Sequence, residues 1–244
     1  MSVNPTYDTH TLRERIAPNP YPGRGIVIGN LDDEQAIFAY FIMGRSENSR
    51  NRVFVKDGEG NVFTEPYDAS KVKDPSLIIY APVRAYGSDV VVTNGDQTDT
   101  VVEGLQRGLS FSEALTSREF EPDAPNLTPR ISGILHFGKG AFTYEMSILK
   151  SADPEGTACN RFTYAYAPLT GLGHFIHTYM GDGNPLPTFA GEPERVSLAG
   201  DIDSVANEIW ESLDGDNKIS LVVRTYKIAD GTLTGERLFN KYVK

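Results

Sequence analysis

The stretch Asp89-Val90-Val91-Val92-Thr93-Asn94-Gly95-Asp96-Gln97-Thr98-Asp99-Thr100 changes structural grammar in its middle. Val90 to Val92 are β-branched and read as a buried strand, and Asn94-Gly95 is a strong turn signal. Thr98 or Asp99 can then cap a helix whose apolar positions are Val101, Val102, Leu105 and Leu109. A sharp strand-turn-helix joint aims backbone N–H groups and short polar side chains at one point, where a helix N-terminus favours negative charge. That chemistry suits a phosphate or an oxyanion, although a tight connection with ordinary capping satisfies the same spacing. A second candidate is electrostatic: Arg45, Arg50, Arg52 and Lys56 lie in one short segment whose only acid is Glu47. It is the strongest concentration of positive charge in the chain, and it reads either as an anion-binding segment or as a charged hairpin in solvent.

Other chemistry is poorly supported by the residue types. His174-Phe175-Ile176-His177 has metal-like spacing only on a helix, and its neighbours read as strand, where positions three apart face opposite ways. Only His10 and His136 remain as further histidines, and Cys159 is the single cysteine, so no disulfide, Cys-rich metal site or histidine zinc site is expected. Gly181-Asp182-Gly183-Asn184 and Asp214-Gly215-Asp216-Asn217 lack the regular ligand spacing of a calcium loop and read as turns. Lys plus Arg total 23 against 33 Asp plus Glu, a net charge of −10 that opposes non-specific nucleic-acid or anionic-membrane binding. Neither a signal peptide nor a long apolar run is present, which leads to the expectation of a cytoplasmic protein.

The elements that must position these groups are mostly strands. At 244 residues the chain can bury a full core as one domain, with residues 1–22, punctuated by Pro5, Pro18, Pro20 and Pro22, as an arm before a domain over 23–244. Strands are expected over Gly23–Gly29, Gln35–Met43, Asn51–Lys56, Val62–Phe63 and Leu77–Val83, the last carrying Tyr80. After the joint a helix runs to Arg107 and stops at Gly108. Ser110-Phe111-Ser112-Glu113 matches a capping box and starts another helical piece through about Ser117. Arg130–Phe137, Ala141–Leu149, Asn160–Ala167 and His174–Met180 follow as strands, then a helix over Ser204–Leu213 and strands over Lys218–Ile228 and Arg237–Val243. Many strands and few, segregated helices indicate an α+β fold with mainly antiparallel sheet.

Several segments, taken in order, carry a family resemblance. Tyr21-Pro22-Gly23-Arg24 opens an apolar run to Gly29, and Gly44-Arg45-Ser46 is followed by Asn51-Arg52. The Thr-Asn-Gly-(two residues)-Thr-Asp-Thr block comes next, and Asn126-Leu127-Thr128-Pro129-Arg130-Ile131 after it. From about residue 21 to about residue 195 the chain resembles the archaeal-type inosine monophosphate cyclohydrolase family, whose enzymes close the purine ring in the last step of de novo synthesis. The resemblance implies a four-layer α-β-β-α sandwich like that of the N-terminal-nucleophile hydrolases, a small-molecule purine ribonucleotide as substrate, and no metal or organic cofactor. It leaves homo-oligomerisation open.

The implied reaction needs a base for a carboxamide nitrogen, donors for a developing oxyanion and an acid for departing water. Carried onto this sequence, the resemblance assigns proton transfer to Glu121 of Glu121-Pro122-Asp123, oxyanion donation to the Tyr80 hydroxyl, and the carboxamide oxygen or oxyanion to Arg52. Arg24 and Arg45 are assigned phosphate or ribose contacts. Asn94 and Gly95 shape the pocket, Thr98 and Asp99 fix the turn, and Arg130 either pairs with a carboxylate in the site or cross-links loops. Arg50 rivals Arg52, because the segment between Ser46 and Arg52 is one residue longer than the compact family pattern. Two other functions are open: an amide hydrolase whose nucleophile is Ser2 exposed by removal of Met1, and a non-catalytic purine-nucleotide-binding protein.

Overall fold

The computed structural model describes residues 7–72 and 79–242. Met1–Thr6, with Ser2, and Leu77, Ile78 and Val243 of two expected strands lie outside them. Thr11 opens α1 (Leu12–Ile16) with a reciprocal capping box to Glu14, which satisfies two N–H groups that a helix start leaves unpaired. The chain then runs through β1 (Arg24–Asn30), β2 (Gln35–Met43), α2 (Glu47–Arg50), β3 (Val53–Lys56), β4 (Val62–Glu65), β5 (Val83–Tyr86) and β6 (Asp89–Thr93). Next come α3 (Gln97–Gln106), α4 (Phe111–Ala114), β7 (Arg130–Gly138), β8 (Ala141–Ser151), β9 (Cys159–Tyr166), β10 (Leu172–His177) and β11 (Glu194–Ser197). The final elements are α5 (Ile202–Ser212), β12 (Lys218–Lys227) and β13 (Leu233–Asn240).

The strands form two sheets of antiparallel neighbours, in the orders β11-β10-β1-β2-β12-β13 and β3-β4-β5-β6-β7-β8-β9. Alternation along β2 shows how the layers stack. Ala36, Phe38, Tyr40 and Ile42 enter a core shared with Val90, Val92, Leu135 and Tyr144 of the other sheet. Ile37, Ala39, Phe41 and Met43 enter a second core with Leu12, Ile16, Val205 and Ile209 of α1 and α5. A third core joins Val91 and Ile134 to Val101, Val102 and Phe111 of α3 and α4. The result is an α+β sandwich of two facing sheets with a helical layer outside each. A strand covered on both faces has no polar alternation, which is why β2 reads as an unbroken apolar run.

The expected boundaries fail where side-chain bonds override local pattern. The helix after the joint is not capped by Thr98 or Asp99: Asp96 holds the cap position without a capping bond, because its carboxylate is taken by Arg118 at 2.5 Å and Arg130 at 2.7 Å. Ile79 to Pro82 are not in a named strand. Pro82 has no N–H for a ladder, and Tyr80 is held instead by Thr64, whose hydroxyl takes the Tyr80 N–H at 2.8 Å. The expected strand from Asn51 begins at Val53, since Ser46 and Ser49 form a capping box around α2. The strand ending at Met180 stops at His177, where the N–H groups of Thr178 and Tyr179 turn to the Pro22 carbonyl. β11 is short and polar and gave no periodic signal, and the last strand lies earlier than expected, at Leu233–Asn240. Within residues 7–22, α1 packs its buried Leu12 and Ile16 into the core over the first sheet. Among the described residues no helix is long and apolar enough to cross a membrane.

Candidate active site

Four separate segments converge on a cavity of about 270 Å³. Tyr21 and Arg24 come from the start of β1, Arg45 and Ser46 from the approach to α2, Glu121, Asp123 and Thr128 from the loop before β7, and Tyr179 from just beyond β10. A larger cavity, about 520 Å³, lies between β3, β13 and Trp210, but its lining carries no charged side chain. The smaller cavity is near the low end of small-molecule sites, at about 300 Å³, and holds the convergent polar groups such sites use.

Glu121 is 3% exposed, and its backbone N–H donates to the Thr128 carbonyl at 2.8 Å. Burial raises its proton affinity above that of an ordinary glutamate; Arg24, Arg130 and Arg52 oppose this and Asp123 reinforces it. Burial works against the charge of Arg24, yet Glu121 and the surrounding phenols outweigh it and hold the guanidinium well above its ordinary value. Arg52 is fully buried beneath α2, with Nε donating to the Ser49 carbonyl at 2.8 Å and Nη2 to the Met43 carbonyl at 3.3 Å. Burial, with the like charge of Arg24 behind it, lowers its pKa. Four buried guanidinium donors have no hydrogen-bond partner among the described residues, Arg15 Nε, Arg24 Nε, Arg52 Nη1 and Arg195 Nε; of these, Arg24 lines the cavity and Arg52 is within electrostatic reach of Glu121. Unpaired buried guanidinium donors are costly, and their usual explanation is an acceptor supplied from outside the chain.

The other candidate residues divide between those near this centre and those spent on architecture. Tyr80 is buried and its hydroxyl meets that of Tyr40 at 2.8 Å, and both phenols interact electrostatically with Arg24 and Arg52. Arg45 lies over the Tyr21 ring, 5.0 Å from its centre, and is tethered to Asp182 and to the Gly183 carbonyl at 3.0 Å. Arg50 turns elsewhere, donating to the Gly44 carbonyl at 3.0 Å and to Asn217 at 3.1 Å. Of the rival pair, Arg52 is the one within electrostatic reach of Glu121, although neither it nor Tyr80 lines the cavity.

At the joint, Asn94 clasps the segment leading into β7. Its amide donates to the Pro129 carbonyl at 2.9 Å, and its oxygen accepts from Ile131 N–H and from Gln97, each at 2.9 Å. Gly95 leaves room for its neighbours: an added Cβ would meet Arg130 Nη1 and Gln97 Oε1 at 2.6 Å, with Glu121 Oε1 at 3.6 Å. Thr98 bonds to Thr93 at 2.6 Å, while Asp99 points outward to Arg84, also at 2.6 Å. Arg130 bonds to Asp96 and to Gln97 at 2.8 Å, so the anion at this joint is the chain's own Asp96.

Tyr21, Thr128 and Tyr179 carry no role in the reading of the sequence, and Asp123 enters it only as part of Glu121-Pro122-Asp123. Tyr21 and Thr128 sat inside the quoted family segments, whereas Tyr179 carried no local signal. His174 and His177 lie on opposite faces of β10, with Tyr144 and with Glu194 respectively, and no cluster able to hold a metal occurs among the described residues.

Comparison with known proteins gives a consistent picture. The family model for IMP cyclohydrolase-like protein matches residues 21–231. The IMP cyclohydrolase of Methanopyrus kandleri is 36% identical over 116 residues, covering 46% of this chain and 57% of the relative. That of Methanocella arvoryzae is 32% identical over 119 residues, 47% and 57% respectively. A longer match, to the IMP cyclohydrolase of Haloquadratum walsbyi, is 27% identical over 197 residues, 78% of this chain and 84% of the relative. The first two matches thus span little more than half the length of those relatives.

Proposed function

The chain belongs to the IMP cyclohydrolase-like family, and from that premise we propose that it closes the ring of 5-formamidoimidazole-4-carboxamide ribonucleotide to give inosine monophosphate and water. One observation carries this reading beyond membership: a buried glutamate with raised proton affinity shares a cavity with a guanidinium whose Nε is unpartnered, and a second such guanidinium lies within its electrostatic reach.

In the first step the carboxamide nitrogen forms a bond to the formyl carbon and loses a proton to Glu121, while the formyl oxygen gathers charge. Arg52 Nη1 and the Tyr80 hydroxyl stabilise that oxygen, donors that cost little reorganisation because the fold already holds them. In the second step the formyl oxygen leaves as water: Glu121 returns the carboxamide proton to it, the N–H of the former formamide nitrogen supplies the second proton as the C–O bond breaks and that nitrogen forms the ring C=N bond, and aromaticity drives the loss. A group that must take and return one proton works best with a pKa near the operating pH, which burial supplies here. Arg24 holds the ionised state of Glu121 when it forms and offers its free Nε to the substrate. Arg45, at the open rim, takes the phosphate, and part of the acceleration comes from holding two groups of one molecule together.

The reading carries further elements: layering of the N-terminal-nucleophile-hydrolase kind, a catalytic domain over residues 23–244 with an arm before it, a cytoplasmic location, and a small purine ribonucleotide rather than nucleic acid as ligand. The decisive experiment mixes purified protein with the formamido ribonucleotide and follows inosine monophosphate by its ultraviolet spectrum. Failure to form it, with a folded protein, would refute the proposal. Binding of the product without turnover would leave a nucleotide-binding protein.

A further inference from the structure

Asp123, Thr128 and Tyr179 form a line of hydrogen bonds along the cavity wall whose direction follows from counting protons. Asp123 accepts from the Thr128 N–H at 2.7 Å and from the Thr128 hydroxyl. A carboxylate has no proton to give, so the hydroxyl hydrogen of Thr128 is committed to it. Thr128 Oγ1 also lies 2.5 Å from the Tyr179 hydroxyl. With its one hydrogen spent, Thr128 can only accept there, and Tyr179 must donate. The phenol is fixed in place: its ring stacks on Tyr21 with centres 5.9 Å apart, and its carbonyl accepts from Asn19 at 2.9 Å. Burial pushes its pKa up to about 12, so the proton stays on.

We infer that Asp123, acting through Thr128, turns the Tyr179 proton into the wall and leaves its oxygen as an acceptor toward the cavity, so that the ligand group seated on it is a donor. For a purine ribonucleotide that donor is a ribose hydroxyl or an N–H of the base; this identification, though not the bond direction, rests on the function proposed above. Asp123 and Thr128 are positioning residues in this arrangement. Asp123→Asn reverses the line: the amide NH₂ donates to Thr128 Oγ1, the Thr128 hydrogen turns to Tyr179, and the phenol hydrogen is released toward the cavity.

The test has a ligand-free arm and a ligand arm. A Raman difference spectrum, wild type minus Tyr179→Phe, isolates the Tyr179 phenol, and its Fermi doublet separates donor from acceptor. A donor is expected in wild type and an acceptor in Asp123→Asn; an acceptor in wild type, or a donor in both, overturns the inference whether or not nucleotide binds. Thr128→Val cuts the line and should abolish the donor signature, which covers the case in which Asp123→Asn does not fold. In the ligand arm, calorimetry with inosine monophosphate should show Asp123→Asn weakening binding about tenfold in the wild-type background and not at all in Tyr179→Phe. Equal losses in both backgrounds overturn the inference. Loss of the Asp123→Asn effect with a 2′-deoxy or 3′-deoxy nucleotide identifies that hydroxyl as the donor, and an effect that survives both identifies the N–H. A wild-type protein that binds no inosine monophosphate counts against the proposed function, and the Raman result then decides the inference alone.

Discussion

The hydroxyls of Tyr40 and Tyr80 meet at 2.8 Å, linking the middle of β2 to the segment that leads into β5 in the facing sheet. Tyr40 is wholly buried, and burial, with Tyr80 beside it, raises its pKa far above that of an ordinary phenol. It therefore stays protonated and acts on Tyr80 as a fixed partner. Tyr80→Phe should lower turnover by about 10²-fold, the scale for losing one oxyanion donor. Tyr40→Phe should lower it less, and not at all when Tyr80 is already Phe. Steady-state rates for the two single variants and the double variant check this, and additive losses would separate Tyr40 from the site.

Glu121→Gln keeps shape but removes the titrating proton, so binding of inosine monophosphate should persist while turnover falls by about 10²–10⁴-fold. Its stability should move the other way. The folded carboxyl has a pKa above the unfolded one, so wild type loses stability as pH rises through the folded value. The variant should melt higher than wild type at neutral pH, with the gap closing below about pH 4.3, the ordinary glutamate value. A gap independent of pH would contradict this.

Arg52→Lys keeps the charge, but its single nitrogen cannot stand where Nε and Nη2 donate to the Ser49 and Met43 carbonyls and also where the free Nη1 lies. Affinity and turnover should both fall, and stability should drop by about 1–3 kcal/mol from the buried groups left unpaired. A variant with normal kinetics and a lowered melting point would make Arg52 purely structural.

Asp182 holds Arg45 by an ion pair at the partly exposed rim of the cavity. A phosphate on Arg45 must compete with that carboxylate. Asp182→Asn should therefore tighten inosine monophosphate by up to about fivefold, within the range for an exposed pair, and leave inosine unchanged. Titrations at two salt concentrations should show the gain shrinking as salt rises. An equal change for nucleotide and nucleoside would remove Arg45 from phosphate binding.

His174 accepts from or donates to Tyr144 at 2.7 Å and stacks on Tyr166, with ring centres 3.7 Å apart. Burial first, and Arg195 second, lower its pKa to about 4. The unfolded chain thus takes up this proton more readily, so the histidine's contribution is complete above about pH 6.5 and lost as pH falls toward 4. The loss should be on the order of 3 kcal/mol. Melting curves of wild type and His174→Gln between pH 7.5 and 4.5 should converge on acidification; parallel curves would refute the assignment.

The sequence by itself determined the α+β class, the extent of β2, the capped piece after Ser110 and the family, because these rest on local period, capping chemistry and ordered segments read along the chain. It also brought Glu121, Arg24 and Arg45 forward as one site through the family resemblance. Only the tertiary structure decided which neighbours those residues meet. Thr98 and Asp99 looked like caps, but Asp96 is drawn off by Arg118 and Arg130, residues distant in sequence. Arg50 and Arg52 are equivalent as letters. A four-residue helix between Ser46 and Asn51 turns one toward Asn217 and buries the other. Tyr179 gave no signal at all, since its role depends on a hydroxyl meeting Thr128 from 51 residues away. Local pattern encodes which elements form; the side-chain partners of a buried charge or hydroxyl are fixed only when those elements pack, because the cost of leaving them unpaired is felt only there.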